Sequence, residues 1–459
     1  MHYRNDFGDG DGVSEFSWLN QINVIYSNDC LLDNQPDKSH CQKVNLRRIA
    51  FATPVLVALV LTSSVTAQTF TTLHSFATAT VNSPYIINSD GARVLGGLIL
   101  SGNSLYGTAQ QGGSLGYGTL FKVSVDGSGF TNLYFFNGVS DSGCPSARLI
   151  ISGNTLYGTS VGVGGKGNGS VFSINTNGTN FTNLHIFGGS DGANLSSELI
   201  LLANTLYGTA AQGGSLGGGT LFGVNTDGLG FTNLHNFSSG SDGTFPNAGV
   251  VSSGNTLYGT AENGGASGNG TVFAVNTDGT SFTNLHSFTA FASLTNSDGA
   301  NPFAGMILVG NTLYGTTVGG GRFGNGSVFA LHTDGTGFTN LHSFTAYSGN
   351  KNNDGARPNG RLILAGNTLY GTATYGGNGG CGTVFSLSLS LPQLTIIPYG
   401  TDIVLTWPAD AVGFNLQSTS NLDSSAIWTT NSTVPVIING QNIITNPIFG
   451  TQLFFRLSK

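Results

Sequence analysis

Residues 338–390 read FTNLHSFTAYSGNKNNDGARPNGRLILAGNTLYGTATYGGNGGCGTVFSLSLS and contain one complete unit of a tandem repeat. The Leu-Tyr-Gly-Thr motif of this unit occurs six times, with its tyrosines at Tyr106, Tyr157, Tyr207, Tyr258, Tyr314 and Tyr370. These tyrosines are 51, 50, 51, 56 and 56 residues apart. A fixed period of this length is typical of one supersecondary unit repeated around a ring or along a stack.

Each unit contains four short runs of β-forming residues. In the unit quoted above, the runs begin at Phe338, Leu362, Leu369 and Gly382. Val, Phe, Tyr, Thr and Leu fill the runs, whereas Gly, Asp, Asn and Ser fill the breaks between them. Four strands in about 50 residues are typical of one β-propeller blade. The sequence therefore predicts an all-β fold with a six-bladed β-propeller over residues 68–390.

The two ends of the repeat region complement each other. A lone β-type run, Thr71 to Phe76, precedes the first unit, and the last unit ends at Val384 to Leu389 without such a run. Pairing these segments would join the ends of the ring and remove two exposed strand edges. We therefore expect the N-terminal strand to close the last blade, whereas a solenoid would carry atypical capping repeats at both ends.

The chain begins with the features of an export signal. Basic residues at Lys43 and Arg48 precede an apolar stretch, and small residues lead up to Ala67 and Gln68. This order is typical of a secretory signal peptide, which is too short to span a membrane. We predict a signal peptide over residues 44–67, cleaved between Ala67 and Gln68.

The polar residues 1–43 differ from the rest of the chain, and we interpret them as a leader ahead of the true start of the protein. From residue 68 onward the chain carries ten Lys and Arg and fifteen Asp and Glu, a formal charge of −5. Nucleic acid favours a basic surface, so we expect no nucleic-acid partner. No later apolar stretch is long enough to span a membrane. We expect an exported monomer in the periplasm, on the cell surface or outside the cell.

Two cysteines, Cys144 and Cys381, follow the predicted cleavage point. An exported protein can hold such a pair as a disulfide, and the sequence leaves that pairing open. Two thiols far apart do not form a metal site, so we predict neither a metal nor a cofactor.

Aspartate and histidine recur at fixed repeat positions. A first set of aspartates is Asp90, Asp141, Asp191, Asp242, Asp298 and Asp354, and a second set is Asp126, Asp227, Asp278 and Asp334. One histidine position is shared by His74, His185, His235, His286 and His342. Most of the aspartates precede glycine, which indicates turns rather than calcium loops. One histidine per blade leaves the rings too far apart to share an ion, so we interpret them, like the motif tyrosines, as packing between blades.

Recognisable catalytic motifs are missing from the sequence. It contains no Gly-x-Ser-x-Gly elbow between a strand and a helix, no His-Glu-x-x-His and no phosphate loop. Glu198 and Glu262 are the only glutamates after residue 67, and we assign neither to a position that other copies share. Propeller active sites are assembled from several loops, so an enzyme stays open as an alternative.

The loops between each Leu-His-x-Phe run and the following aspartate differ in length. They span 10 to 14 residues in the first, fifth and sixth units and 4 or 5 residues in the others. In a closed ring of six these three units are contiguous, and insertions on one face of a repeat protein often mark its binding face. The candidate binding residues of this crescent are Tyr85, Phe291, Tyr347, Asn350 and Lys351. Length drift at tolerant loops is the alternative.

The repeat period stops near residue 391, and residues 391–459 form a separate module in the sequence. Segments 402–408 and 414–417 alternate as strands do, and Trp407 and Trp428 lie in or near such segments. We predict a small β-sandwich with both tryptophans in its core.

The repeat units resemble a known family. The stretches Gly-Asn-Thr-Leu-Tyr-Gly-Thr, Gly-Thr-Val-Phe and Phe-Thr-Asn-Leu-His-Ser-Phe are similar to the GloVer repeat, and the resemblance covers residues 69–390. It implies an exported bacterial protein, often with a variable C-terminal anchoring or sorting region, and it implies no established activity or site residues. The C-terminal segment resembles short terminal modules of Verrucomicrobia-type exported proteins but lacks the Pro-Glu-Pro tail and its hydrophobic helix.

The prediction for function is a non-catalytic exported protein whose propeller binds a glycan or a cell-envelope protein. A polysaccharide lyase or hydrolase on the same face stays open, as does a structural surface protein without a discrete ligand. A hydrolase needs two carboxylates about 5–10 Å apart beside a cleft, so side-chain positions bear on this choice.

Overall fold

The computed structural model describes residues 71–82, 85–162, 167–389, 393–399, 402–409, 414–420, 427–438, 440–447 and 453–458. Within these residues every regular element is a β-strand, which confirms the all-β prediction. The predicted leader, the signal peptide and its cleavage site at Ala67 and Gln68 lie outside the described residues.

Six antiparallel sheets, called sheets 1 to 6, follow a short hairpin along the described chain. The hairpin consists of β1 (Thr80–Asn82) and β2 (Tyr85–Ile87). Each sheet contains one repeat unit, with the Leu-Tyr-Gly-Thr motif in its second strand. The strands of sheet 1 are β3 (Ile99–Ser101), β4 (Ser104–Ala109), β5 (Thr119–Ser124) and β6 (Thr131–Phe135); of sheet 2, β7 (Ile150–Ser152), β8 (Thr155–Ser160), β9 (Ser170–Asn175) and β10 (Thr182–Ile186); of sheet 3, β11 (Ile200–Leu202), β12 (Thr205–Ala210), β13 (Thr220–Asn225) and β14 (Thr232–Asn236). Those of sheet 4 are β15 (Val251–Ser253), β16 (Thr256–Ala261), β17 (Thr271–Asn276) and β18 (Thr283–Ser287); of sheet 5, β19 (Ile307–Val309), β20 (Thr312–Thr317), β21 (Ser327–His332) and β22 (Thr339–Ser343); of sheet 6, β23 (Ile363–Ala365), β24 (Thr368–Ala373) and β25 (Thr383–Ser388).

The glycine of the motif is required by the strand beside it. In sheet 4, Gly259 lies opposite Phe273 in the register of β16 and β17. A Cβ atom on Gly259 would lie 2.4 Å from the Phe273 ring, closer than any side chain allows. Corresponding distances at all six motif glycines fall between 2.4 and 2.8 Å. The ring therefore packs directly on the glycine backbone, which explains why this motif position is never larger.

Neighbouring sheets pack face to face through their second and third strands. Tyr258 of sheet 4 lies in one buried cluster with Met306 and Leu313 of sheet 5. Similar clusters join sheets 1 and 2, 2 and 3, 3 and 4, and 5 and 6. Tyr106, Tyr157, Tyr207 and Tyr258 are only 5–7% exposed, which confirms the packing interpretation for these four motif tyrosines, whereas Tyr370 of sheet 6 is 40% exposed.

Sheet 6 has three strands among the described residues. The predicted pairing of Thr71–Phe76 with the last sheet is not formed, because residues 71–79 belong to no strand and β25 pairs with β24 alone. Side chains hold this segment on sheet 1 instead, where the His74 ring stacks on Phe130 at 3.5 Å. No described strand pairs with the outer edge of β25, and Val384 is 82% exposed. Closure of the ring stays a prediction.

Two further sheets form the C-terminal module, with strand orders β26-β27-β31-β30 and β29-β28-β32. Their strands are β26 (Thr395–Tyr399), β27 (Asp402–Pro408), β28 (Asn415–Thr419), β29 (Thr429–Thr430), β30 (Val436–Ile438), β31 (Gln441–Pro447) and β32 (Phe454–Ser458). Trp407 of the first sheet shares a buried cluster with Leu416 and Phe455 of the second, as expected of a small sandwich. The prediction for Trp428 was wrong: this residue is half-buried, and the Arg456 guanidinium covers its ring at 4.3 Å.

Candidate functional site

Two kinds of loop meet along one edge of the repeat sheets, here called the loop edge. One loop precedes the first strand of a sheet and carries a first-set aspartate, and the other connects its second and third strands. In sheet 6 the two loops pair at Ala356 and Tyr375. The N–H of Arg357 donates to the carbonyl of Asn325 in the sheet 5 loop at 2.9 Å. Because equivalent bonds recur in other units, the loop edge is a surface to which successive units contribute.

The predicted crescent residues lie in insertions of this edge. Phe291 and Tyr347 are 39% and 38% exposed. Asn350 has a positive φ of 64° in a tight turn that Lys351 closes. Tyr85 begins β2, and its side chain is outside the described part of the chain. The first unit joins the crescent only if the ring closes, because only then does it lie beside the sixth unit.

Tyr347, Arg357 and Tyr375 form an aromatic and cationic cluster, here called the loop patch. The Arg357 guanidinium lies 5.6 Å from the centroid of the Tyr375 ring, and Tyr375 is 49% exposed. Partial burial raises the pKa of Tyr347, an effect that the nearby charge of Arg357 opposes. Arg357 has a positive φ of 52°, a conformation that costs a non-glycine residue about 1–2 kcal/mol. The crescent prediction included Tyr347 but missed its two partners, because they lie outside the long insertion.

A concave feature, here called the inner cavity, has a volume of about 400 Å³. Its aliphatic lining comes from sheets 1 to 4 and includes Ile99, Ile150, Ile200 and Val250. Its charged lining consists of Arg148, Glu198 and Arg361. Arg361 Nη1 donates to Glu198 Oε2 at 3.5 Å, although 163 residues separate them. Arg148 Nε donates to the carbonyl of Leu98 at 3.4 Å.

The three charged residues occupy one repeat position, directly before the apolar residue that leads into the first strand. In the six units this position is Gly97, Arg148, Glu198, Gly249, Gly305 and Arg361. The prediction that Glu198 occupies no repeat position shared with other copies was therefore wrong. The error arose because the residue type changes from copy to copy. Glu198 is the one carboxylate among the described residues that line the cavity, so the carboxylate pair of a hydrolase is not assembled there.

The recurring histidines and first-set aspartates form pairs. His235 Nε2 lies 3.0 Å from Asp242 Oδ2, and the imidazole stacks on Phe282 at 3.6 Å. All five histidines make this contact with an aspartate of the first set, at 2.7–3.0 Å. In the remaining unit Tyr134 donates to Asp141 at 3.1 Å, and burial together with this carboxylate raises the pKa of Tyr134 to about 12. The interpretation of the histidines as packing residues is confirmed. Their hydrogen bonds to the first-set aspartates were missed, because histidines and aspartates were considered separately.

The second-set aspartates stabilise turns, and the two cysteines are not joined in a disulfide. Asp278 accepts hydrogen bonds from the N–H and the hydroxyl of Thr280, as expected of a turn aspartate. Cys144 and Cys381 are free thiols, and burial raises the pKa of Cys144. Over the described ranges, no three His, Cys, Asp or Glu side chains group closely enough to hold a metal ion. The same residues include no helix long and apolar enough to cross a bilayer.

Comparison with known proteins identifies a repeat family. A family model described as the Gloeobacter/Verrucomicrobia repeat matches residues 59–204, 184–293 and 288–401. No curated protein matches the sequence significantly. The chain is similar to a chain of the nidogen/laminin complex, with 15% identity over 54% of this chain and 80% of that one and a TM-score of 0.34. It is also similar to TolB from Acinetobacter baumannii (12% identity, 63% of this chain, 57% of that one, TM-score 0.31) and to oligogalacturonate lyase from Vibrio parahaemolyticus (10%, 63%, 75%, 0.39).

Proposed function

The chain belongs to the Gloeobacter/Verrucomicrobia repeat family, and from that premise we propose that it is an exported, non-catalytic binding protein with a six-bladed β-propeller. Its ligand is a glycan, held on the loop edge of sheets 5 and 6. An envelope protein as ligand, a polysaccharide-active enzyme and a purely structural surface protein are the alternatives that the experiment below separates.

The loop patch is the observation that carries this proposal. The rings of Tyr347 and Tyr375 are both partly exposed, and Arg357 lies beside them. Flat aromatic rings pack on the apolar faces of sugar rings, while a guanidinium donates to their hydroxyl or carboxylate groups. Side chains on loops held by rigid sheets are a common arrangement for recognition.

The ring is supported by the contact between Arg361 and Glu198, which belong to units 6 and 3. In an extended stack each unit contacts only its neighbours, so two units three apart meet only if the sheets turn around a common centre. We place sheet 6 beside sheet 1 to complete this turn.

The register of sheet 5 can be transferred to β25 and the N-terminal segment. In sheet 5 the fourth strand pairs with the third so that Ser343 opposes Ser327. The same register in sheet 6 places Ser75 opposite Thr383. The run from Thr71 to Ser75 then supplies the missing fourth strand and covers the exposed edge.

Among the described residues His342 has no stacked phenylalanine, unlike the other four histidines of the set. His286 stacks on Phe338 at 3.9 Å, and its side chain is 19% exposed. His342 is 37% exposed. Phe70 holds the repeat position of Phe338, directly before Thr71, and lies outside the described residues. If the ring closes, we expect His342 to become as buried as His286.

Export is proposed from the pattern of residues 44–67, whose basic, apolar and small-residue segments follow the order of a signal peptide. An extracellular or periplasmic location would bring the loop edge into contact with glycans of the envelope and its surroundings.

The test uses the secreted chain, residues 68–459, in pull-down assays on insoluble polysaccharides and on bacterial envelopes. A Tyr347→Ala/Tyr375→Ala variant is compared with the wild type and with Tyr399→Ala. The latter is a matched control, since Tyr399 is a 71% exposed tyrosine of the C-terminal module. We expect a polysaccharide to retain the wild type and the control, and to lose the double variant.

Equal retention of all three chains would contradict a role for the loop patch. Release of soluble sugars would favour the enzyme, and retention by protease-sensitive envelopes alone would favour a protein ligand. A chain that no surface retains would favour the structural alternative.

A further inference from the structure

The inner cavity combines two guanidinium groups, one carboxylate and aliphatic walls. Its charged residues, Arg148, Glu198 and Arg361, are the charged members of a repeat position that is otherwise glycine. They therefore stand at equivalent places in three units and converge on one cavity.

Glycine at the other copies of this position makes room for the charged side chains. A Cβ atom on Gly97 would lie 3.4 Å from Arg148 Cδ, in direct contact with the arginine stem. A Cβ atom on Gly249 would come within 2.6 Å of the Glu198 carbonyl oxygen, a clash for any larger residue. Glycine therefore fits against the stem of Arg148 at one copy of this position and against the Glu198 backbone at another.

The charges in the cavity do not cancel. Arg361 and Glu198 are 44% and 40% exposed, and their 3.5 Å ion pair is weakened by solvent. Arg148 forms no ion pair with a described residue and bonds only the Leu98 carbonyl, at 3.4 Å. With two guanidinium groups and one carboxylate, the cavity has one positive charge in excess, in a chain whose formal charge is −7.

The aliphatic lining of the inner cavity favours a ligand that has an apolar part as well as a charge. Ile99, Ile150 and Ile200 present aliphatic surface, which stabilises a ligand that removes that surface from water. The volume of about 400 Å³ is within the usual range for small-molecule pockets. An inorganic anion would leave the aliphatic wall in contact with water, whereas an aliphatic acid would cover it.

We propose that the inner cavity binds a small aliphatic carboxylate. The head group contacts Arg148 and Arg361, and the hydrocarbon chain lies against the isoleucines. This site is separate from the loop patch and does not depend on glycan binding, so either one can fail while the other stands.

Hexanoate is a suitable probe, titrated into the secreted chain by isothermal calorimetry. 1-Hexanol and hexylamine serve as matched ligands of the same chain length without a negative charge. We expect hexanoate to bind, 1-hexanol to bind roughly tenfold more weakly because it lacks the charge-assisted hydrogen bonds, and hexylamine to show no heat of binding.

Variants of the chain give the second arm of the test. Arg148→Gln is expected to weaken hexanoate binding roughly tenfold, whereas Arg148→Lys keeps part of it because the charge remains. Glu198→Gln is expected to strengthen binding, because it releases Arg361 from its carboxylate. Arg93→Gln changes an exposed arginine outside the cavity lining and is expected to bind as the wild type does.

Circular dichroism establishes that each variant is folded before its affinity is compared. The proposal is overturned if the folded wild type does not bind hexanoate, or if Arg148→Gln and Glu198→Gln both bind it with wild-type affinity.

Discussion

Val384 in β25 is 82% exposed, whereas Val328 at the same position of β21 is fully buried. Val328 packs against Leu362 and Leu369 of sheet 6, whereas no following sheet covers Val384 among the described residues. This junction decides whether the loop edge is one continuous face, because the first, fifth and sixth units become neighbours only when the ring closes.

Replacing each valine by alanine tests whether β25 is covered in solution. Val328→Ala should lower the free energy of unfolding by about 1–2 kcal/mol, since a buried side chain loses two methyl groups. We expect Val384→Ala to cause a similar loss, measured as a shift in the urea midpoint. A change within about 0.5 kcal/mol, which is usual for an exposed position, would indicate that no sheet covers this face of sheet 6.

The motif glycine provides a prediction about packing alone. Gly259→Ala should destabilise the chain by about 1–3 kcal/mol, because the new methyl group meets the Phe273 ring. Gly379→Ala is the matched control, since a Cβ atom there has no neighbour within 4 Å. Thermal denaturation of the two variants should separate them clearly, and equal melting temperatures would contradict the packing explanation of the motif.

The strand pattern could be predicted from sequence because six copies repeat it with the same residue types. Tyr258 and its counterparts mark the period, and the burial of those in sheets 1 to 4 follows from the apolar runs on either side. The pairing of His235 with Asp242 was available in the same pattern, but loops of variable length separate the two positions and obscure the link. The contact of Phe273 with Gly259 could not be read from either residue alone, because it depends on the register of β16 and β17.

The candidate sites were less predictable than the fold. Arg361 and Glu198 have opposite charges at one repeat position, so a search for recurring residue types does not connect them. Their contact depends on how far successive sheets turn, which the sequence does not specify. Arg357 and Tyr375 lie outside the long insertion, and only the cross-loop pairing of Ala356 with Tyr375 brings them together.

The His235–Asp242 pair predicts a loss of stability in mild acid. Burial lowers the pKa of His235 below its usual value of 6.5, and Asp242 opposes this shift. Because the folded chain disfavours the protonated ring, the contribution of His235 is complete above about pH 6.5 and is lost as the pH falls below that value. The pKa of Asp242 is also lowered, despite the opposing effect of burial, by hydrogen bonds from Ser238 and His235. Asp242 therefore stays ionised in this window.

A His235→Phe variant measures that contribution. It should be less stable than the wild type at about pH 7.5, where the hydrogen bond to Asp242 is lost. Between about pH 7.5 and pH 5 it should lose less additional stability than the wild type, because the titrating ring is gone. Parallel pH profiles of the urea midpoint would contradict the assignment.

Arg357 illustrates a balance between stability and recognition. Its positive φ favours glycine, so Arg357→Gly should raise the free energy of unfolding by up to about 1 kcal/mol. The same change removes the cation of the loop patch and should weaken retention on polysaccharide. Asn194→Gly is the control, since asparagine tolerates its own positive φ of 61°. A destabilised Arg357→Gly variant would show that the arginine has a structural role here.

Ring closure is tested most directly by a disulfide across the proposed strand pair. In a chain with Cys144→Ser and Cys381→Ser, Ser75→Cys is combined with Thr383→Cys. The control chain combines Thr271→Cys with Ser287→Cys, because these two residues are paired at the same position of sheet 4. After mild oxidation, we predict that both chains form an intramolecular disulfide. Peptide mapping of the monomeric test chain should locate its disulfide between residues 75 and 383. The closed propeller would be contradicted if the control chain formed its disulfide while the test chain kept free thiols or formed disulfides only between molecules.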